Sequence, residues 1–265
     1  MKKITYLMMT FLLCVGSISQ AQNDNDVSTQ EELDEAPYDF LDMFNQNRRD
    51  KEVVMTQTAL MIAFGFNQAV GNDNGIGEDY RFWGSGVFDI GLEFSTRLSK
   101  KSDLLRVTYG LSARLNSLRV NNNKAFRTSN NVTTLDPVGF NVDRSRFNQA
   151  GFHIPLHLEI GKRGLNEYKD GIKRSGSGSD QSFVVGIGGY LGYTTTSTQS
   201  LEFEREGRDV TLSTTNDFEI NNFNYGLSAY VGYEDLQLFV NYGLNEIFKD
   251  SPIQQNYLSF GIRLR

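Results

Sequence analysis

The sequence predicts an all-β protein, an eight-stranded antiparallel up-and-down transmembrane β-barrel with a short N-terminal periplasmic segment. Three observations predict it. Eight segments alternate apolar with small or polar residues at a period of two, which belongs to strands and not helices. Their connections alternate short and long, as in an up-and-down barrel. One face of the alternation is apolar and uncharged, and the other is rich in glycine and serine, as in the cramped interior of a narrow barrel.

The averages alone read as an ordinary soluble chain: 265 residues, 39% hydrophobic, 22% charged, net charge −6 and mean hydropathy −0.40. Only 4 prolines and 12% aromatics exclude collagen-like and disordered classes. Helical membrane spans need apolar runs of about 18 residues, and none occurs beyond the first two dozen positions. A pI of about 5.1 argues against a nucleic-acid partner. A strand that alternates every residue hides its apolar stripe from such averages, so they exclude helical spans and not the membrane.

Residues 1–21 read as a signal peptide: Lys2 and Lys3, an apolar stretch from Ile4 to Val15, then small residues before a cut after Ala21. Cys14, the one cysteine, lies inside it, preceded by Leu13 and not by the small residue a lipoprotein signal needs. The mature chain is then exported and free of disulfides. Residues 22–52 form an acidic periplasmic leader, flexible or a short helix, interrupted by Phe40, Leu41, Met43 and Phe44. That apolar cluster is the candidate partner-binding segment.

The barrel is expected over 53–265, with strands near 56–67, 84–98, 104–118, 149–161, 182–195, 223–233, 236–246 and 256–265. Ser99–Asp103 and Glu234-Asp235 are tight turns. Three long polar connections, near 68–83, 119–148 and 196–222, would lie outside the cell, with a hairpin tip at Glu206–Asp209 in the third. The connection at 164–181 breaks the pattern, being long where a short turn belongs. Pro155 falls mid-strand, where it cannot donate a ladder hydrogen bond, so a local bulge is expected there.

The apolar face carries Leu60, Ile62, Phe64 and Phe66 on the first strand, Phe88 to Phe94 on the second, and Ile154, Leu156 and Leu158 on the fourth. Phe66, Phe82, Tyr193, Tyr225 and Tyr242 at one end, and Phe94 and Tyr233 at the other, would form aromatic girdles. The opposite face holds Gly65, Gly91, Gly110, Gly186, Gly188, Gly226 and Gly261 with Ser112, Ser228 and Ser259. It also holds the charges and both histidines: Asp89, Glu93, Arg97, Arg106, Arg114, His153, His157, Glu159 and Arg263. This set reads as a lumen polar network without an open channel, since buried charges need partners. Glu93 is expected diagonal to Arg106, and Asp89 to Arg114.

No catalytic residue and no cofactor is assigned. His153 and His157, four apart on a strand, lie about 13 Å from each other, too far to share a metal, and both face inward, away from lipid. No GxSxG, HExxH, P-loop or paired-cysteine motif occurs, and Gly186-Ile187-Gly188-Gly189 precedes no helix.

The Phe152–Leu158 segment (FHIPLHL), the SQAQ end of the signal and the terminal LSFGIRL strand resemble those of Bacteroidota outer-membrane β-barrel proteins, the PorT-like or OmpA-like eight-stranded group. The resemblance implies outer-membrane location and insertion by the barrel-assembly machinery, although the chain ends Leu264-Arg265 and not in a terminal aromatic. It carries over no catalytic residues. The expected role is therefore non-enzymatic: a structural or binding module acting through its loops or leader, in contact with outer-membrane lipid and a periplasmic or outer-membrane protein partner, with a secretion or gliding accessory role open. The alternatives are an outer-membrane lipid-modifying enzyme and a soluble lipocalin-like barrel carrying a hydrophobic ligand.

Overall fold

The computed structural model describes residues 55–71, 76–99, 102, 104–161, 167–169, 172–174, 183–233 and 235–265. Eight long strands close a ring: β1 (Thr56–Val70), β2 (Gly86–Arg97), β3 (Leu105–Val120), β6 (Arg144–Ile160), β9 (Phe183–Arg205), β11 (Phe223–Tyr233), β12 (Leu236–Gly243) and β13 (Asn256–Leu264). Each pairs antiparallel with the next, and β13 pairs with β1 through Gly65–Gly261 and Phe66–Phe260. Closure leaves no free edge in the ring. The remaining pieces are small. β4 (Lys124–Ser129) and β5 (Val132–Pro137) form a hairpin, β7 (Glu167–Lys169) pairs with β8 (Ile172–Arg174), and β10 (Arg208–Thr215) folds back on the upper half of β9. The hairpin tips follow from backbone conformation: Asn130 and Asn131, and Glu206 and Gly207, all take left-handed φ, as two-residue hairpin turns require.

The alternation sorts the two faces as the period of two demands. Leu156, Ile187 and Leu238 are each more than half exposed on the outer wall, inside a belt that covers all eight strands. The charged phase points inward. That arrangement removes the lipocalin-like inversion, which would bury the apolar phase. Phe66, Phe82 and Phe260 cluster at the long-connection end of the belt, where Trp83 meets Phe66 edge-on at 5.3 Å. Phe94 stacks on Tyr109 nearer the short-turn end.

Inside, two tyrosine rings lie over glycines directly opposite them on the β9–β11 ladder. Tyr230 covers Gly186, and Tyr190 covers Gly226; a Cβ at Gly226 would sit 2.7 Å from the Tyr190 ring. A narrow barrel can hold such rings only where the wall has no side chain.

The long-connection end is a packed cap and not a set of polar loops. Four connections build it, one more than expected, because residues 244–255 between β12 and β13 contribute Ile247, Phe248 and Ile253. They pack with Tyr80, Phe126, Phe218 and Ile220 over Leu118, Val120 and Phe147 on the strand extensions. Phe126 is central, 4.7 Å from Phe147 and 5.1 Å from Phe248. Gln199 of β9 fixes it by accepting from the Phe126 N–H (2.6 Å) and donating to its carbonyl (3.1 Å). Tyr80 donates to Gln255 at 2.7 Å, and burial, reinforced by Asp79, raises its phenol pKa so that it stays a donor.

Pro155 produces no bulge. The β3–β6 ladder runs from Tyr109–Leu156 to Ser112–His153 with equal residue counts on both strands, so the missing N–H costs a bond without shifting register. The bulge lies elsewhere, on the β6–β9 ladder. Ala150 pairs with Thr196 and Gly151 with Thr194, leaving Thr195 as an extra residue.

Candidate functional site

All nine lumen residues read from the sequence are buried inside the ring. Asp89 and Arg114 are directly opposed across the β2–β3 ladder, not diagonal, and form a bidentate pair at 2.7 and 2.6 Å. Glu93 faces Gly110 and not Arg106. Its carboxylate is engaged over the intervening β1 by Arg263 and, at 3.2 Å, by Arg265. Arg106 instead stands opposite Arg97 on one ladder and Glu159 on the other. The expected Glu93–Arg106 diagonal fails because a long side chain in the lumen can reach past its neighbouring strand as readily as along a hairpin.

Several inward residues complete the network, of which the sequence reading had placed only Ser228 on this face. Tyr230 donates to Glu159 at 2.6 Å, and its ring lies under Arg263 at 4.2 Å. Ser228 lies 2.7 Å from His157 Nε2. Asn241 is satisfied when its oxygen accepts from Arg114 (2.9 Å) and its amide donates to Ser228 Oγ (2.6 Å). The Ser228 hydroxyl then donates to His157, giving one polar chain Asp89–Arg114–Asn241–Ser228–His157. Tyr190, Ser228, Tyr230 and Asn241 all share the phase of the wall glycines, and that parity was the signal available for finding them.

His153 sits higher, toward the cap. The Ser112 hydroxyl donates to the His153 carbonyl at 3.2 Å, and its oxygen stands 3.5 Å from Nδ1. A ring proton on Nδ1 would point to that hydroxyl and leave Nε2 with the lone pair. Nε2 has no hydrogen-bond partner among the described residues.

The bulge matters here. Thr195 and Thr196 both turn outward, and the Thr195 hydroxyl bonds the Ala150 carbonyl at 3.0 Å. Below it, Gly151 and Gly192 fall in the inward phase and put no side chain into the lumen, though the ladder between their strands stays paired. One cavity of about 30 Å³ lies here, bordered by Phe152 and Tyr193 of the wall and by inward-facing Arg114, His153 and Tyr190. It has room for a water or two. His153 and His157 both face inward and are buried. A second space of about 20 Å³, deeper in the lumen, holds Ser228 and His157 and touches the first at His153. Among the described residues no cluster of His, Cys, Asp or Glu is placed to hold a metal. Phe40, Leu41, Met43 and Phe44, like the signal peptide and the leader, lie outside the described residues.

No protein-family model matches the chain, and no curated protein matches it. Among solved structures it is similar to LpxR from Salmonella typhimurium, with 13% identity over 81% of this chain and 86% of that one, and a TM-score of 0.26. So low a likeness transfers no residue and no reaction. The expectation that the chain is not an enzyme does not stand, because a barrel fold by itself excludes no catalysis and the lumen brings Ser, Tyr and Arg side chains beside both histidines.

Proposed function

We propose that the chain is an outer-membrane β-barrel enzyme that hydrolyses an ester-linked lipid of the outer leaflet, with its capped end outside the cell. The observation that carries this reading is His153, whose Nε2 has no hydrogen-bond partner among the described residues and which lines one cavity with Arg114, Phe152 and Tyr193. That cavity lies at the level where the apolar belt gives way to Asn148, Thr196 and Thr198, the depth at which acyl chains meet headgroups in a bilayer.

In this reading His153 is the general base. Nε2 takes a proton from water as the water oxygen adds to the ester carbonyl carbon. Arg114, lining the same cavity, faces the developing negative charge. On collapse the carbon–oxygen bond to the alcohol breaks, and the proton on Nε2 passes to the departing oxygen. A fatty acid and an alcohol result.

Two measurements test it. Cell fractionation is expected to recover the protein with outer membranes, and boiling to change its gel mobility; a soluble protein whose mobility ignores boiling would overturn the membrane reading. Purified barrel in mixed micelles with an outer-membrane lipid extract is expected to release fatty acid, detected by mass spectrometry. His153→Gln is expected to lower that rate about 10²-fold or more while the heat-dependent mobility persists. A wild-type protein that alters no lipid, or a variant as fast as wild type, would sink the assignment.

A further inference from the structure

On the outer wall of β3 and β6 the outward-facing residues climb in opposed pairs: Leu115–Ala150, then Ser117–Asn148, then Arg119–Arg146. Successive pairs are about 7 Å apart. The first two pairs, with Gly86 and Phe88 of β2, line an open groove of about 430 Å³ with mostly apolar walls. The third pair sets two guanidiniums directly across from each other just above it. Like charges in directly opposed positions repel, and neither makes an ion pair among the described residues. Arg81 and Arg144 stand close by. The carboxylate facing this group, Glu202, is already held by Arg144 at 2.9 Å. Partial desolvation, then repulsion from Arg81, Arg144 and Arg146, lowers the Arg119 pKa against the opposing pull of Glu202. Arg119 is nonetheless held in place. Its backbone N–H donates to Ser85 Oγ at 2.9 Å, and its side chain runs over Gly84, where a Cβ would stand 2.9 Å from Cδ.

We propose that Arg119 and Arg146 seat the headgroup phosphate of a lipid whose acyl chain lies in the groove beneath them. An anion between the two arginines removes their repulsion and uses the forked donors that bind phosphate oxygens. The apolar groove directly below commits the phosphate to a lipid and not to a free ion. The groove and the His153 cavity are both bordered by Asn116, Gln149 and Ala150, so an ester between the phosphate and the chain would lie against the stretch of wall that backs His153. The site thus names the substrate class for the proposed hydrolase and rests on that reading for its catalytic meaning only.

The test uses the full chain carrying His153→Gln in dodecyl maltoside micelles, so that lipid is not consumed. Dioctanoyl phosphatidic acid is expected to bind at least 10-fold tighter than dioctanoylglycerol, which has the same chains and no phosphate. Arg119→Gln with Arg146→Gln should erase that difference, and the double lysine variant should restore part of it. Inorganic phosphate alone should compete poorly. Equal affinity for the two lipids, an unaffected double glutamine variant, or full competition by inorganic phosphate overturns the site. A hydrolysis assay without His153→Gln separates the two readings. Arginine-dependent binding with no turnover of any ester leaves the lipid site standing and ends the hydrolase. Turnover that ignores the arginines and the phosphate does the reverse.

Discussion

Replacing Asp89 with alanine is expected to cost about 3–5 kcal/mol of unfolding free energy, the scale of stranding one buried charge by removing its partner. The side chains of Asp89 and Arg114 are 2% and 10% exposed, and both Asp89 oxygens are taken by the guanidinium. Without the carboxylate, Arg114 keeps only its neutral partner Asn241 and the face of Tyr190 at 5.4 Å. Urea unfolding in detergent, followed by gel mobility, reads the loss. Asp89→Leu combined with Arg114→Leu should recover much of it, since no charge is left unpaired. Glu202→Ala breaks an ion pair whose partners are 37% and 40% exposed, and it should cost under about 1 kcal/mol. If the lumen and rim variants lose equal stability, the lumen pair is not the support described.

The sequence-level reading of the barrel rests on parity, and parity determines what it can see. Whether Asp89 or Phe88 faces inward follows from a period of two, so the lumen residues were legible. Which lumen residues touch depends on register and on reach across the ring. A two-residue difference in register between β2 and β3 separates a diagonal Asp89–Arg114 from an opposed pair, and Glu93 meets Arg263 over the intervening β1, where hairpin logic offers no guide. The cap was illegible for another reason. Phe126, Phe218–Ile220 and Ile247-Phe248 are short apolar islands in polar stretches, too brief to show a period, and become a core only when four connections converge.

The candidate site turns on the least visible feature. Along β9 the inward residues are Tyr190, Gly192 and Thr194, then Ser197, Gln199 and Leu201. The phase changes within Thr194–Thr198, where every residue is small and polar, so hydropathy carries no mark of it. Pro155 drew attention because its chemistry is conspicuous, yet a skipped hydrogen bond is tolerated where an inserted residue reshapes the wall.

Deleting Thr195 should therefore do more than its small side chain suggests. Without the extra residue the upper part of β9 must slip by one against β6 or keep its register by straining the ladder. A slip exchanges the faces, turning Ser197, Gln199 and Leu201 outward and driving Thr198, Ser200 and Glu202 toward the interior. Gln199 would lose both bonds to Phe126, and Glu202 its exposed partner Arg144. The ladder below Gly151 is untouched, with Phe152–Tyr193 through Ile160–Val185 still in register, so the belt and the lumen ion pairs should survive. The expected phenotype is a protein that keeps its heat-dependent mobility, loses the cap to limited proteolysis, and falls about 10²-fold or more in ester hydrolysis as the wall beside His153 is displaced. Full activity with a protease-resistant cap would mean that the β6–β9 bulge neither holds the cap nor shapes the wall beside His153. Loss of the cap with full activity would show that the bulge serves the cap alone.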